Sequence, residues 1–257
     1  MGTAENETKS GALPRRLSLS PESLHIWYVK LLGTRKLETA LASLLSNDER
    51  DRSGSFRYVE DRRRFTFSHG TLRVLLGRYT AVAPRDIVFR YTPTGKPYLS
   101  APRVGVQFNM SHSGDMATYA FSNCCQLGVD IEQIRPMPEL LSIAMRFFSP
   151  KEYAELVSLE PACRTVAFFN CWTRKEAYLK ATGAGLSVSL SSFRVSLRPD
   201  QPPTLIRPPS SSLARRRWQV RSLSPSSNHV GAVVFEGRDR ALQEWVCAKP
   251  EELLWSA

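Results

Sequence analysis

A chain of 257 residues with a net charge of +11 and 42% hydrophobic residues is long enough to bury a core, and its composition is that of a globular protein. No apolar run approaches the roughly 20 residues of a membrane span, and the polar opening MGTAENETKSGALPRR lacks the apolar core of a secretory signal. The cysteines, Cys124, Cys125, Cys163, Cys171 and Cys247, are odd in number and form no CxxC pair, which argues against a disulfide framework or a zinc site and for packing roles in a reducing cytoplasm.

Residues 1–20 read as a flexible tail. After it the elements come in two similar series. The first opens with a strand, SLHIWYVKL from Ser23, and continues with helical stretches ending LLSNDERDRS and running over Asp61 to Thr80. Strands follow around DIVFRYTPTGKPYL, VQFNMSHS and MATYAFS. The second opens with the strand LGVDIEQI from Leu127. It continues with a helix, with FFSPKEYAELV, with a longer helix over Arg164 to Gly183, and then with SSFRVSL, WQVRSLS and HVGAVVF. SNDE at Ser46 and SPKE at Ser149 both fit a helix capping box and hold the same slot in their series. The expected fold is therefore α+β: two pseudo-symmetric halves, 21–126 and 127–248, with the site in a cleft between them and a short tail at 249–257. The Pro- and Ser-rich stretch 198–217 reads as a loose loop around one short strand.

Asp130 and Glu132 lie one residue apart on an apolar strand, so their side chains share a face, and buried carboxylates are costly unless a positive group meets them. On the helix WTRKEAYLK, Trp172, Glu176 and Lys180 fall at i, i+4 and i+8. Glu176 and Lys180 alone read as a surface ion pair. With Asp130 and Glu132, Glu176 completes a set of hard oxygen donors suited to Mg²⁺. FNMSHSGD starts as a strand and then breaks into a turn, and Ser111 and His112 there are either structural or phosphate donors. A Ser–His nucleophile pair is disfavoured, because adjacent strand residues face opposite sides. Gly95, Lys96 and Pro97 make a tight turn, and Arg62, Arg63 and Arg64 could neutralise a phosphate. The basic charge admits a solvated surface, nucleic acid, a phosphate-rich cofactor or an acidic protein partner.

Taken in order, Gly95-Lys96-Pro97, Phe108 to Ser113, Gly128 to Glu132, Phe147 to Glu152 and Trp172 to Lys180 resemble the motifs of the 4′-phosphopantetheinyl transferase superfamily, of the larger type that activates surfactin synthetase. The resemblance runs from about Leu24 to Phe235. It implies two similar halves with coenzyme A in the cleft, and transfer of the phosphopantetheine arm of coenzyme A to a serine of an apo acyl or peptidyl carrier protein, releasing adenosine 3′,5′-bisphosphate. It implies that Asp130, Glu132 and Glu176 hold Mg²⁺, and that Glu176 takes the serine proton directly or through water. It also implies that Lys180, Ser111 and His112 meet the phosphates, and that Gly95, Lys96 and Pro97 line the adenine end. Where some members of the family place a basic pair for the 3′-phosphate, this chain has Glu49 and Arg52; Arg50, or the group from Arg62 to Arg64 with Arg63 at its centre, would substitute. The carrier would dock on the segment from Met137 to Phe148, unless Met137, Leu141 and Met145 are core. The expected protein is a cytoplasmic monomer that binds no nucleic acid and no membrane. The alternatives are a nucleic-acid-binding module, with Phe56, Tyr58 and Phe65 interleaved among arginines, and an inactive homologue that binds coenzyme A.

Overall fold

A computed structural model describes residues 7–9, 16–206 and 217–255. The chain forms two compact units: Met1–Arg90 with Pro97–Cys124 and Arg240–Ala257, and Tyr91–Lys96 with Cys125–Asp239. In chain order the elements are β1 (Glu7–Lys9), β2 (Ser23–Lys30), α1 (Arg35–Ala42), α2 (Asn47–Gly54), α3 (Val59–Thr80), β3 (Val88–Tyr91), β4 (Pro97–Ala101), β5 (Gln107–Ser113) and β6 (Met116–Ser122). They continue with β7 (Leu127–Gln133), α4 (Leu140–Phe147), α5 (Pro150–Ser158), α6 (Pro161–Thr182), β8 (Arg194–Val195), β9 (Leu205–Ile206), β10 (Trp218–Ser226), β11 (His229–Glu236), β12 (Ala241–Cys247) and α7 (Glu251–Trp255).

In the first unit the sheet order is β1-β12-β2-β6-β5. Strand β2 is a near-continuous apolar run because it lies inside the sheet and is buried along almost its whole length. It pairs antiparallel with β6 and parallel with β12, which sets Trp27 beside Trp245 with stacked rings 4.8 Å apart. Helix α3 shares this core through Phe67, Leu72, Leu75 and Leu76. On the same helix the Tyr79 hydroxyl accepts from Trp27 Nε1 at 2.9 Å and lies 2.9 Å from His25 Nδ1.

In the second unit the antiparallel sheet β10-β11-β7 carries α6 on one face. Asp130 pairs with Ala232 and Glu132 with Val230. Helix α6 ends at Gly183, whose φ of 68° is the left-handed stop that glycine adopts without strain.

Each unit therefore repeats one plan. An opening strand is followed by two short helices, a 22-residue helix, a short two-stranded ribbon and two antiparallel strands that pair back toward the opener. The plan is pinned by the same device in both. Glu49, third residue of α2, closes a capping box on Ser46, and Glu152 closes one on Ser149 at the start of α5. Each glutamate is buried and meets a buried cation of the long helix: Arg73 Nε at 2.6 Å from Glu49, and Lys175 Nζ at 2.8 Å from Glu152. Each cation also donates to two carbonyls of the segment after its helix. Arg73 reaches Pro84 O and Ile87 O; Lys175 reaches Leu190 O and Phe193 O, both at 2.7 Å.

Some expectations need correction. Strand β5 does not break after Met110 but runs to Ser113, with the turn at Gly114, φ 59°. The second half does not extend to residue 248: β12 lies in the first unit's sheet, beside β2, because its alternating apolar residues Leu242, Trp245 and Cys247 complete that core. Residues 249–257 are not a plain tail, since Glu251–Trp255 is helical and Leu253 is buried. Nor are residues 1–20 a tail throughout: Glu7–Lys9 pairs in parallel with β12, and Leu17 is buried. Residues 207–216 of the expected loop lie outside the described residues; its short strand is Leu205–Ile206.

Burial alone would raise the Glu49 carboxyl, but hydrogen bonds from His69 and the Ser46 amide and the charge of Arg73 hold it down to about 2, against 4.5 ordinarily. A depressed carboxylate stabilises the fold above its unfolded value and loses that contribution as pH falls through its folded value. Between about pH 5 and pH 2 the protein should lose up to about 3 kcal/mol from this group. Denaturant melts across that range should show the loss, and Glu49→Gln should be less stable at pH 7 with a flatter acid limb.

Candidate functional site

Strand β7 and helix α6 bring four of the predicted residues within reach of one another: Asp130, Glu132, Glu176 and Lys180. From Cys171 to Lys180, only Trp172, Glu176 and Lys180 are half-buried and the rest are buried, so the i, i+4, i+8 stripe is the open edge of an otherwise enclosed helix. Trp172 anchors the stripe, stacking on Phe168 and meeting Phe147 edge-on. Lys180 Nζ donates to Asp130 Oδ1 at 2.7 Å. Asp130 is buried, and Glu132 lies on the same strand face with Arg135 at 3.4 Å.

The Asp130–Lys180 bond spans the junction of strand and helix, and that junction closes because residue 128 is glycine. A Cβ there would lie 2.2 Å from Ala181 N, 2.3 Å from Ala177 O and 2.7 Å from Lys180 C, all backbone atoms that cannot move aside singly. Glycine permits the approach.

The carboxyl of Glu176 is raised above its ordinary value. Burial is the main cause, followed by the charge of Asp130, with Lys180 opposing and Glu132 adding. The carboxylates are thus close enough to repel one another. Among the described residues no group of three His, Cys, Asp or Glu side chains is gathered closely enough to hold a metal ion as the side chains stand. The donor chemistry of Asp130, Glu132 and Glu176 still fits a hard divalent cation: all are oxygen ligands, and their mutual repulsion favours a positive charge among them.

The hairpin turn at Gly95, φ 87°, ends on Lys96, whose side chain points inward. Its ammonium donates to Leu127 O and Ala181 O at 3.0 Å and to Gln126 Oε1 at 3.3 Å. Burial lowers Lys96 to about 8. Nothing in the spacing of TGKPYL signalled these contacts, because they are made with residues distant in sequence.

In the first unit Ser111 is buried on β5 opposite Thr118, while His112 is exposed opposite Ala117, so the two face opposite sides of the strand. Arg63 donates to Gly33 O at 2.6 Å and lies 3.5 Å from Glu38. It lines a surface depression of about 480 Å³ with Arg35, Arg62, Thr39 and Ser53. The acid in the basic-pair position, Glu49, faces inward on Arg73, and Arg52 lies over the Phe65 ring. Phe65 is itself buried and Phe56 half-buried, so of the three aromatics among the arginines only Tyr58 is well exposed.

Residues 34–124 match the family profile described as 4′-phosphopantetheinyl transferase, N-terminal, and residues 126–234 match that of the 4′-phosphopantetheinyl transferase superfamily. The chain is 39% identical over 226 residues to the 4′-phosphopantetheinyl transferase HetI of Nostoc sp., an alignment covering 87% of this chain and 92% of the relative. It belongs to the 4′-phosphopantetheinyl transferase superfamily. A second relative of this transferase, Sfp of Bacillus subtilis, is 34% identical over 170 residues, covering 66% of this chain and 74% of its own. Among solved structures, a holo-(acyl-carrier-protein) synthase from Bacillus anthracis in complex with CoA aligns over 44% of the transferase and 96% of its own chain, at 22% identity and a TM-score of 0.37.

Gly128→Ala should force β7 off α6. Overpacking of this kind costs about 1–3 kcal/mol, occasionally more; for a chain of this size that lowers Tm by about 2–12 °C. A thermal melt with an activity assay on the folded fraction would check both the loss and its effect on the Asp130–Lys180 bond.

Proposed function

We propose that this enzyme transfers the 4′-phosphopantetheine arm of coenzyme A to a serine hydroxyl of an apo acyl or peptidyl carrier protein and releases adenosine 3′,5′-bisphosphate. The observation that carries the reading is Glu176. It is a half-buried carboxylate made more basic by its surroundings, one helical turn from the cation that holds Asp130, and it lies within the segment matched by the superfamily profile.

The chemistry follows from those groups. The serine Oγ attacks the phosphorus that carries the pantetheine arm, and its proton passes to a Glu176 oxygen, directly or through a water. The bond from that phosphorus to the leaving phosphate breaks, and the bonding pair departs with adenosine 3′,5′-bisphosphate. Lys180 offsets the negative charge that builds on the phosphates. Asp130, Glu132 and Glu176 would hold Mg²⁺, whose contribution when bound is to neutralise part of the diphosphate charge. Phosphate contacts then fall to Ser111, His112 and Arg63, and the adenine end to Gly95, Pro97 and the backbone of Lys96, whose ammonium is turned inward onto Leu127 O and Ala181 O. The enzyme is taken to act as a cytoplasmic monomer without nucleic acid; no helix among the described residues is long and apolar enough to cross a membrane.

Helix α4 supports a carrier surface. Leu140, Ala144 and Phe148 face the core, whereas Met145 is 66% exposed beside Arg146, an apolar contact next to a cation that suits an acidic carrier. Met145→Glu should raise KM for the carrier about tenfold with KM for coenzyme A unchanged, measured by steady-state kinetics. An unchanged carrier KM would remove α4 from the interface.

Intact-mass spectrometry of an apo carrier incubated with the chain, coenzyme A and Mg²⁺ should show a gain of one phosphopantetheine. The gain should vanish with EDTA, and with Glu176→Gln it should slow by about a hundredfold or more. No gain on an acyl and a peptidyl carrier, with coenzyme A still bound in calorimetry, would establish a binding homologue instead.

A further inference from the structure

We propose that Lys96 is a positioning residue for the transfer reaction: its ammonium clamps the start of β7 to the end of α6 and so holds Asp130 against Lys180. The inference rests on the transferase reading given above.

An ammonium has three N–H donors. Those of Lys96 meet Gln126 Oε1, Leu127 O and Ala181 O at 3.0–3.3 Å, which leaves none for a phosphate. The two carbonyls are informative. Leu127 opens β7, three residues before Asp130, and Ala181 directly follows Lys180 in the last turn of α6. Carbonyls in a final helical turn lack intrahelical partners, and a cation there also meets the negative end of the helix dipole. Lys96 therefore closes the same junction that Gly128 opens to close approach, where residue 128 abuts Ala181 N and Ala177 O. Thr94 reinforces it, donating from Oγ1 to Gly183 O at 2.5 Å, just past the helix end. The turn Tyr91–Lys96 thus grips both the strand that carries Asp130 and Glu132 and the helix that carries Glu176 and Lys180. Burial of the ammonium, which lowers Lys96 to about 8, fits a group turned into the protein.

The test is Lys96→Met, which keeps the stem and removes the donors, with Gln126→Ala as a milder variant should the first not fold. Amide hydrogen exchange, read without substrate, should quicken in Leu127–Gly128 and Ala181–Gly183 and stay unchanged in β5 and β6. In wild-type-active conditions kcat should fall about tenfold or more, because misplaced groups lose rate before they lose substrate, while KM for coenzyme A changes less than threefold. A variant with normal kcat and raised coenzyme A KM would make Lys96 a substrate ligand and overturn the proposal, as would unchanged exchange at both segments. Failure of the wild type to modify any carrier would instead overturn the transferase reading, and the exchange result would still stand or fall independently.

Discussion

Two buried ion pairs, Glu49 with Arg73 and Glu152 with Lys175, set the frame on which everything else is hung. Each glutamate does two things at once. It completes the capping box that starts a short helix, and it fixes the rotation of the long helix that follows by engaging its inward cation. Such pairs add little beyond what apolar residues would give, but removing one partner leaves an unmatched buried charge and costs about 3–5 kcal/mol. Their value here is registration. Each cation sits at the fifteenth position of a 22-residue helix and also holds carbonyls of the segment that follows, so helix, cap and return segment share one anchor.

The site follows from that registration. On α6 Lys175 points to the core, and successive residues rotate by about 100°. Glu176 must then emerge at the helix edge, with Trp172 a turn before it and Lys180 a turn after. Close contact with β7, allowed by Gly128, brings Asp130 to Lys180. In the first unit the same device holds α3, yet that helix offers no acid at the matching edge: Arg73 is followed by Val74, where Lys175 is followed by Glu176. One plan, used twice, thus carries the acidic chemistry on one copy only.

What could be read before the structure was local. The DxE of β7, the stripe on α6 and both capping boxes depend on spacings of two to eight residues, and period alone decides which side chains share a face. The order of elements in the two series was legible for the same reason. What escaped was long-range pairing. Nothing in ALQEWVC says that it will lie beside β2 rather than extend the sheet that precedes it, since either edge would accept a strand with alternating apolar residues. Nor does SNDERDRS show that Glu49 pairs with Arg73, 24 residues away. Nor does TGKPYL show that the Lys96 ammonium reaches Leu127 and Ala181, which lie 31 and 85 residues off.

The same contacts change the meaning of the chain's net charge of +11. Many of the basic residues are turned onto backbone carbonyls inside their own unit. Arg78 donates to Leu253 O, Arg164 to Leu159 O and Val157 O, Arg174 to Ser196 O, and Arg73, Lys175 and Lys96 hold carbonyls as described. A long cationic side chain is suited to this, because its stem packs against apolar neighbours while its head satisfies oxygens at helix ends and in return segments. N–H donors spent on carbonyls are not offered to a partner, so a count of arginines overstates the hydrogen bonds a ligand would meet. The cations that can act on a ligand are those at open edges, and Lys180, half-buried on the stripe with Glu176, is one that the fold places beside its acids, as Arg135 is beside Glu132.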